Sequence, residues 1–218
     1  MIDPSVFIGE PLRFYNICKV YPPTVREVIS IPLFSAYQKL LTITQEDIAD
    51  ENKKKGITDE PLTSFEFLLS CVYNSVDFKK IAEEAFMLFI KEPVTFLCEK
   101  KIVIIGNVEQ ELQKINNVSE LRLLTEDNYF EFQNMIRLAL NLPLYSPPVP
   151  PDPDEDPRVR AIKEKARQRD RIKAKQKNKD GIQLSTCLAA ICCMGIGITP
   201  LNIGELSYGS INTIMNMM

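Results

Sequence analysis

Six cysteines and a few paired carboxylates are the residues of this chain whose types could do chemistry. Cys18, Cys71, Cys98, Cys187, Cys192 and Cys193 lie at spacings that fit neither a zinc ribbon nor a CxxC redox pair. Most fall inside apolar runs, where cysteine behaves as a small buried hydrophobe. Glu83-Glu84 and Glu126-Asp127 sit in helical patterns, where carboxylates serve as a solvated face or complement the first-turn dipole. Nothing beside them in sequence would shift their titration. The chain has no histidine. That removes the usual proton shuttle and excludes Ser-His-Asp, Cys-His and His-metal centres. Gly195-Ile-Gly197 is too short for a dinucleotide fingerprint and follows a helical pattern rather than a strand. No catalytic, cofactor-binding or metal-ligating residue emerges, and the expectation is a protein that is not an enzyme and carries no cofactor.

Composition points the same way. The apolar share of 45% and charged share of 25% are those of an ordinary globular chain. The net charge of −3 hides a strong asymmetry. Residues 158–179 hold eleven Lys/Arg against Glu164 and Asp170, a local +9. Asp152, Asp154, Glu155 and Asp156 precede them, and the remainder of the chain is acidic. A basic segment joined to an acidic body suggests electrostatic attraction within the chain or to an acidic partner. Reduced-looking cysteines and no secretory leader pattern imply a reducing cytoplasm.

The elements that would position these residues are mostly helical. Residues 5–20 are aromatic and branched, broken at Gly9 and Pro11, and read as strand material ended by Pro22-Pro23. Thr24 to Glu27 has capping-box spacing, so a short helix starts there, and Thr44 to Asp47 opens another. Ser64 can cap a run with Phe65, Leu68, Leu69 and Val72 on one face. Asp77 can cap a longer one carrying Ile81, Ala85, Leu88 and Phe89, stopped by Pro93. Val94–Cys98 and Lys101–Ile105 read as a hairpin across Glu99-Lys100. Thr125 caps a helix to about Asn141, with Tyr129, Phe132, Ile136 and Leu140 on its stripe.

Seven prolines in residues 143–157 then make an extended connector. The basic segment, closed by Gly181, is built of helix formers with no continuous apolar stripe. It reads as a solvated spacer, with non-specific phosphate binding as the alternative. Its exposed cations would be Arg158, Arg160, Lys163, Arg167, Arg169, Arg171, Lys173 and Lys175. From Ile182 to Gly204 there is no charge at all. Polar and glycine residues cut that run below a membrane-spanning length. The spacing predicts a helical hairpin instead, from Leu184 to about Met194 and then a helix capped by Thr199 with Pro200 at its first position. The fold class expected is mainly α with a small β component (α+β). Its parts are a helical body over 1–141, a Pro-rich and basic connector over 142–181, and a C-terminal helical module over 182–218. The apolar end of that module, through Leu206, Ile211, Ile214 and Met215, would supply a contact to the body, another copy or a partner.

Three stretches carry a resemblance to the tail assembly chaperones of long-tailed bacteriophages. They are Phe14 to Val28 with its Pro-Thr-x-x-Glu helix start, the Pro-rich then basic connector 143–179, and the Gly-Ile-Thr-Pro-Leu-Asn-Ile-Gly-Glu-Leu-Ser-Tyr-Gly run within 182–218. The resemblance implies a non-enzymatic chaperone that binds the tape measure protein and recruits major tail protein subunits, in the cytoplasm of an infected bacterial host. Self-association is also allowed; a membrane or a specific nucleic acid is not expected. The alternative is a nucleic-acid-associated phage or bacterial protein using the basic connector.

Overall fold

Leu12, Phe14, Cys18 and Val20 are buried while Arg13 and Lys19 between them are exposed. This alternation makes two short strands, β1 (Leu12–Phe14) and β2 (Cys18–Val20), each with one buried face. They pair antiparallel with Leu12 opposite Val20 and Phe14 opposite Cys18. The strand material of 12–20 forms a hairpin: a tight turn at Tyr15, with φ +47, folds the segment on itself. The computed structural model describes residues 9–57, 60–112, 121–146, 184–193 and 202–217, together with 158, 159, 162, 163, 165, 166, 169, 198 and 199.

Capping chemistry sets the helix starts. α1 (Val25–Ser30) opens on Thr24, whose Oγ1 accepts from the Glu27 N–H at 3.2 Å while Glu27 accepts from the Thr24 N–H at 2.8 Å. α2 (Phe34–Thr42) follows, and α3 (Gln45–Lys54) repeats the box with Thr44 and Asp47. Each such cap contributes about 1 kcal/mol. α4 (Ser64–Asn74) is capped by Thr63 with Glu66, one residue earlier than the spacing predicts, and Ser64 is buried in the first turn. α5 (Val76–Ile90) is capped by Ser75, not Asp77, because the Ser75 hydroxyl accepts from the Phe78 N–H at 3.2 Å. It ends at Lys91 in the left-handed region, ahead of Pro93.

β3 (Val94–Leu97) and β4 (Ile102–Ile105) form the expected hairpin, Val94 opposite Ile105 and Leu97 opposite Ile102. Three further elements carry too little periodicity to be seen in sequence: α2, α6 (Val108–Leu112) and the two-residue strand β5 (Leu123–Leu124). β5 pairs antiparallel with β4, giving the sheet order β3-β4-β5. α7 (Glu126–Ala139) has its expected stripe of Tyr129, Phe132, Ile136 and Leu140 fully buried. The fold class is the expected mainly helical α+β.

The core centres on α5, whose Ala82, Ala85, Phe86, Phe89 and Ile90 are inaccessible. It packs against α2, α4, β2 and β3. α7 crosses α2 and α4 and covers the β1–β2 hairpin. Phe86 stacks on Phe132 at 5.6 Å, Phe132 meets Phe14 edge-on at 5.8 Å, and Tyr129 lies 4.9 Å from Phe65. Each such buried side chain stabilises the fold by about 1.5–3 kcal/mol. The Tyr129 hydroxyl is buried without a hydrogen-bond partner. Arg122 clamps the β-elements: it donates to both oxygens of Glu92 at 2.7 and 2.6 Å and through Nε to the Ile17 carbonyl at 2.6 Å.

The chain divides into two compact units, Met1–Tyr145 with Leu201–Met218, and Ser146–Pro200. Composition alone suggests three parts, 1–141, 142–181 and 182–218. The prolines do mark a boundary, but residues 201–218 belong with the N-terminal body. The second unit contains helical positions within 158–169 and the helix α8 (Leu184–Cys193). In the first unit, a 3-10 turn (Ile203–Glu205) leads to α9 (Tyr208–Met217). No described helix is long and apolar enough to cross a membrane.

Candidate interaction surfaces

Burial pushes the Cys18 thiol up to about 12, and burial also raises Cys71 and Cys98. These sulfurs stay protonated near neutral pH and are poor nucleophiles. Cys18, Cys71, Cys98, Cys192 and Cys193 are free, and no described group of His, Cys, Asp and Glu could hold a metal ion. Glu84 accepts from the Tyr37 hydroxyl, which ties α5 to α2, while Glu83 sits 3.9 Å from Lys79 on its own helix.

Of the contacts expected for the C-terminal residues, to the body, another copy or a partner, the one to the body is formed. Val25 N–H donates to the Leu206 carbonyl at 2.9 Å and Tyr208 N–H to the Pro23 carbonyl at 2.7 Å, flanking a β-bridge between Thr24 and Ser207. Phe34 and Tyr208 meet edge-on at 5.4 Å, and Arg26 pairs with Glu205 at 2.6 Å. Asn212 donates to the Leu140 carbonyl at 2.9 Å and Asn141 to the Thr213 hydroxyl at 2.6 Å. Ile211 is fully buried, Leu206 and Ile214 are half-buried, and the Met215 side chain lies outside the described residues. Ile211 is thus a core residue of its own unit, not an open contact. An apolar stripe joined to the body is at high local concentration and buries there first. The helix also begins at Tyr208, not after Thr199: the Ser207 hydroxyl accepts from the Ser210 N–H at 3.2 Å. The Gly195–Gly197 loop lies outside the described residues.

Of the basic connector, Arg158, Lys163, Lys165 and Arg169 are described, and all four are helical and exposed. Arg160, Arg167, Arg171, Lys173 and Lys175 lie outside the described residues.

A different surface was not anticipated. Between the α4–α5 junction and β3 runs a groove of about 420 Å³, walled by Val72, Tyr73 and Val76 on one side and Phe96 and Leu97 on the other. Lys79, Glu99 and Lys100 edge it. Tyr73 is 68% and Val76 85% exposed, unusual for such side chains at a helix junction. The sequence signal was present but small: both residues fall off the buried stripes of α4 and α5.

Comparison with protein-family models, with curated proteins and with solved structures finds no match.

Proposed function

We propose that the chain is a non-enzymatic tail assembly chaperone of a long-tailed phage, binding the tape measure protein and recruiting major tail protein subunits. The observation that carries this reading is the second unit, Ser146–Pro200, inserted in sequence between Tyr145 and Leu201 of the body. In sequence it joins a strongly basic stretch, helical at its described positions between 158 and 169, to α8, within a run without charge from Ile182 to Gly204. An uncharged segment that follows a basic one in sequence suits client helices that carry apolar stripes and acidic faces, since apolar burial supplies affinity and charge supplies orientation. The acidic, capped body supplies a stable platform. The resemblance of Phe14–Val28 and of 182–218 to this group supports the same reading.

The test is co-expression with the tape measure and major tail proteins of the same phage. Soluble tape measure protein that co-purifies with this chain is the expected result. Tape measure protein that stays insoluble, with neither tail protein retained, overturns the proposal.

A further inference from the structure

We propose that β3 is a docking edge on which an extended, acidic segment of a partner chain adds as a further strand. The inference stands apart from the tail-assembly reading, because it rests on the body alone and names the chemistry of a segment rather than a protein.

The ladder fixes which backbone groups are free. Gly106 N–H donates to the Pro93 carbonyl at 2.8 Å, and Val94 lies opposite Ile105. In an antiparallel pair, hydrogen-bonded and non-bonded residues alternate. Residues 93, 95 and 97 therefore face β4, and the N–H and C=O groups of Val94 and Phe96 point the other way. β3 is the last strand on that side of the sheet, and no backbone hydrogen bond from another described element reaches Val94 or Phe96. The groove lies on this side, since β3 lines it and β4 does not.

The walls define the occupant. Tyr73 and Val76 are exposed and share the groove lining with Phe96, whose N–H and C=O lie on the open edge, so a strand entering there gains main-chain hydrogen bonds and apolar cover together. Lys79 and Lys100 flank it against Glu99, and on α5 Lys80 and Asp77 are also exposed, which leaves an excess of positive charge. Lys79 has only Glu83 at 3.9 Å, both roughly half exposed, a pair of little strength. The charge complement is a segment with acidic residues at its ends and small or branched apolar residues between them. A second copy of this chain is the poorer occupant, because it would bring the same lysines into one groove and like charges oppose pairing.

The full-length protein is titrated into fluorescein-labelled Asp-Val-Thr-Val-Thr-Val-Glu peptide, amidated at its C-terminus, and anisotropy is read. Binding is expected, weakened about tenfold or more when the acidic residues are replaced by lysine. Tyr73→Glu with Val76→Glu abolishes it without moving the thermal melt, since both side chains are exposed. Peptides N-methylated at alternate residues separate strand addition from adhesion: one set retains binding and the complementary set loses it. Equal effects of the two sets, no preference for the acidic peptide, or unchanged binding by the double variant each overturn the proposal. Concentration-dependent dimers that the double variant dissolves would overturn it in favour of self-pairing.

Discussion

Replacing Ile211 tests whether the C-terminal segment is part of the body or an independent module. Its side chain is inaccessible, so Ile211→Ala removes buried methyl groups and leaves a cavity that the surrounding α1 and Leu140 region fills incompletely. The expected loss is about 2–4 kcal/mol. Ile211→Asp adds a carboxylate in apolar surroundings, which costs several kcal/mol more unless the group escapes. Escape is available: residues 202–217 can leave the body, which caps the penalty at the free energy of undocking them. The two responses are separable in urea unfolding followed by far-ultraviolet circular dichroism. A penalty taken in place lowers the midpoint with the slope unchanged. Release before global unfolding lowers the slope as well, because less surface remains to be exposed. Ile214, half-buried on the same helix, is the internal control, and Ile214→Asp should cost clearly less. An Ile211→Ala protein within about 0.5 kcal/mol of the parent would refute the packing of α9 on the body.

Tyr129→Phe should leave stability unchanged or raise it by up to about 1 kcal/mol in the same assay, because the hydroxyl it removes is buried without a partner; a loss above that would mean the hydroxyl is satisfied. Thr63→Ala, which opens the capping box of α4, should cost about 1 kcal/mol, read as a lower melting midpoint. Glu66 is held below the usual carboxylate range by its hydrogen bond from Lys101 and then by the Thr63 N–H. Its contribution is therefore complete above the ordinary carboxylate pKa, near about 4.3, and is lost as the pH falls through the lowered value. Carbon-detected titration of its carboxyl should show that low midpoint, and Lys101→Met should move it back up. Reversing Arg158, Lys163 and Arg169 to Glu should weaken tail-protein capture and flatten its salt dependence, because the basic stretch orients acidic client faces; unchanged capture would show that the segment is only a spacer.

Much of the fold was legible because its signals are local. Thr24, Thr44 and Thr125 announce helix starts through spacing alone, and Phe132 and Ile136 announce a buried face through period. Errors of one or two residues at Ser64 and Asp77 arose where a second small polar residue competed for the cap. α2 was missed because its start at Leu33 has no side-chain cap, and β5 because two leucines form a strand only with β4 beside them. The C-terminal contact was half legible. The stripe of Ile211 and Ile214 was visible, but that its nearest apolar surface is α1 depends on a return across the whole second unit, which no local pattern encodes. The groove at β3 was not legible, since an open strand edge is a property of sheet order.

The pairing of Asn141 with Thr213 spans 72 residues, and that span is also an interval of time. At about 5–20 residues per second of synthesis, roughly 4–14 s separate the emergence of one partner from the other. Throughout that interval Val25, Phe34 and Leu140 have been made and the segment that covers them has not. Val25 N–H and the Pro23 carbonyl must meanwhile be satisfied by water. The body thus completes its surface only after the whole second unit has been translated. A nascent chain stalled inside that unit would present an uncovered apolar seam to whatever binds such surfaces in the cell.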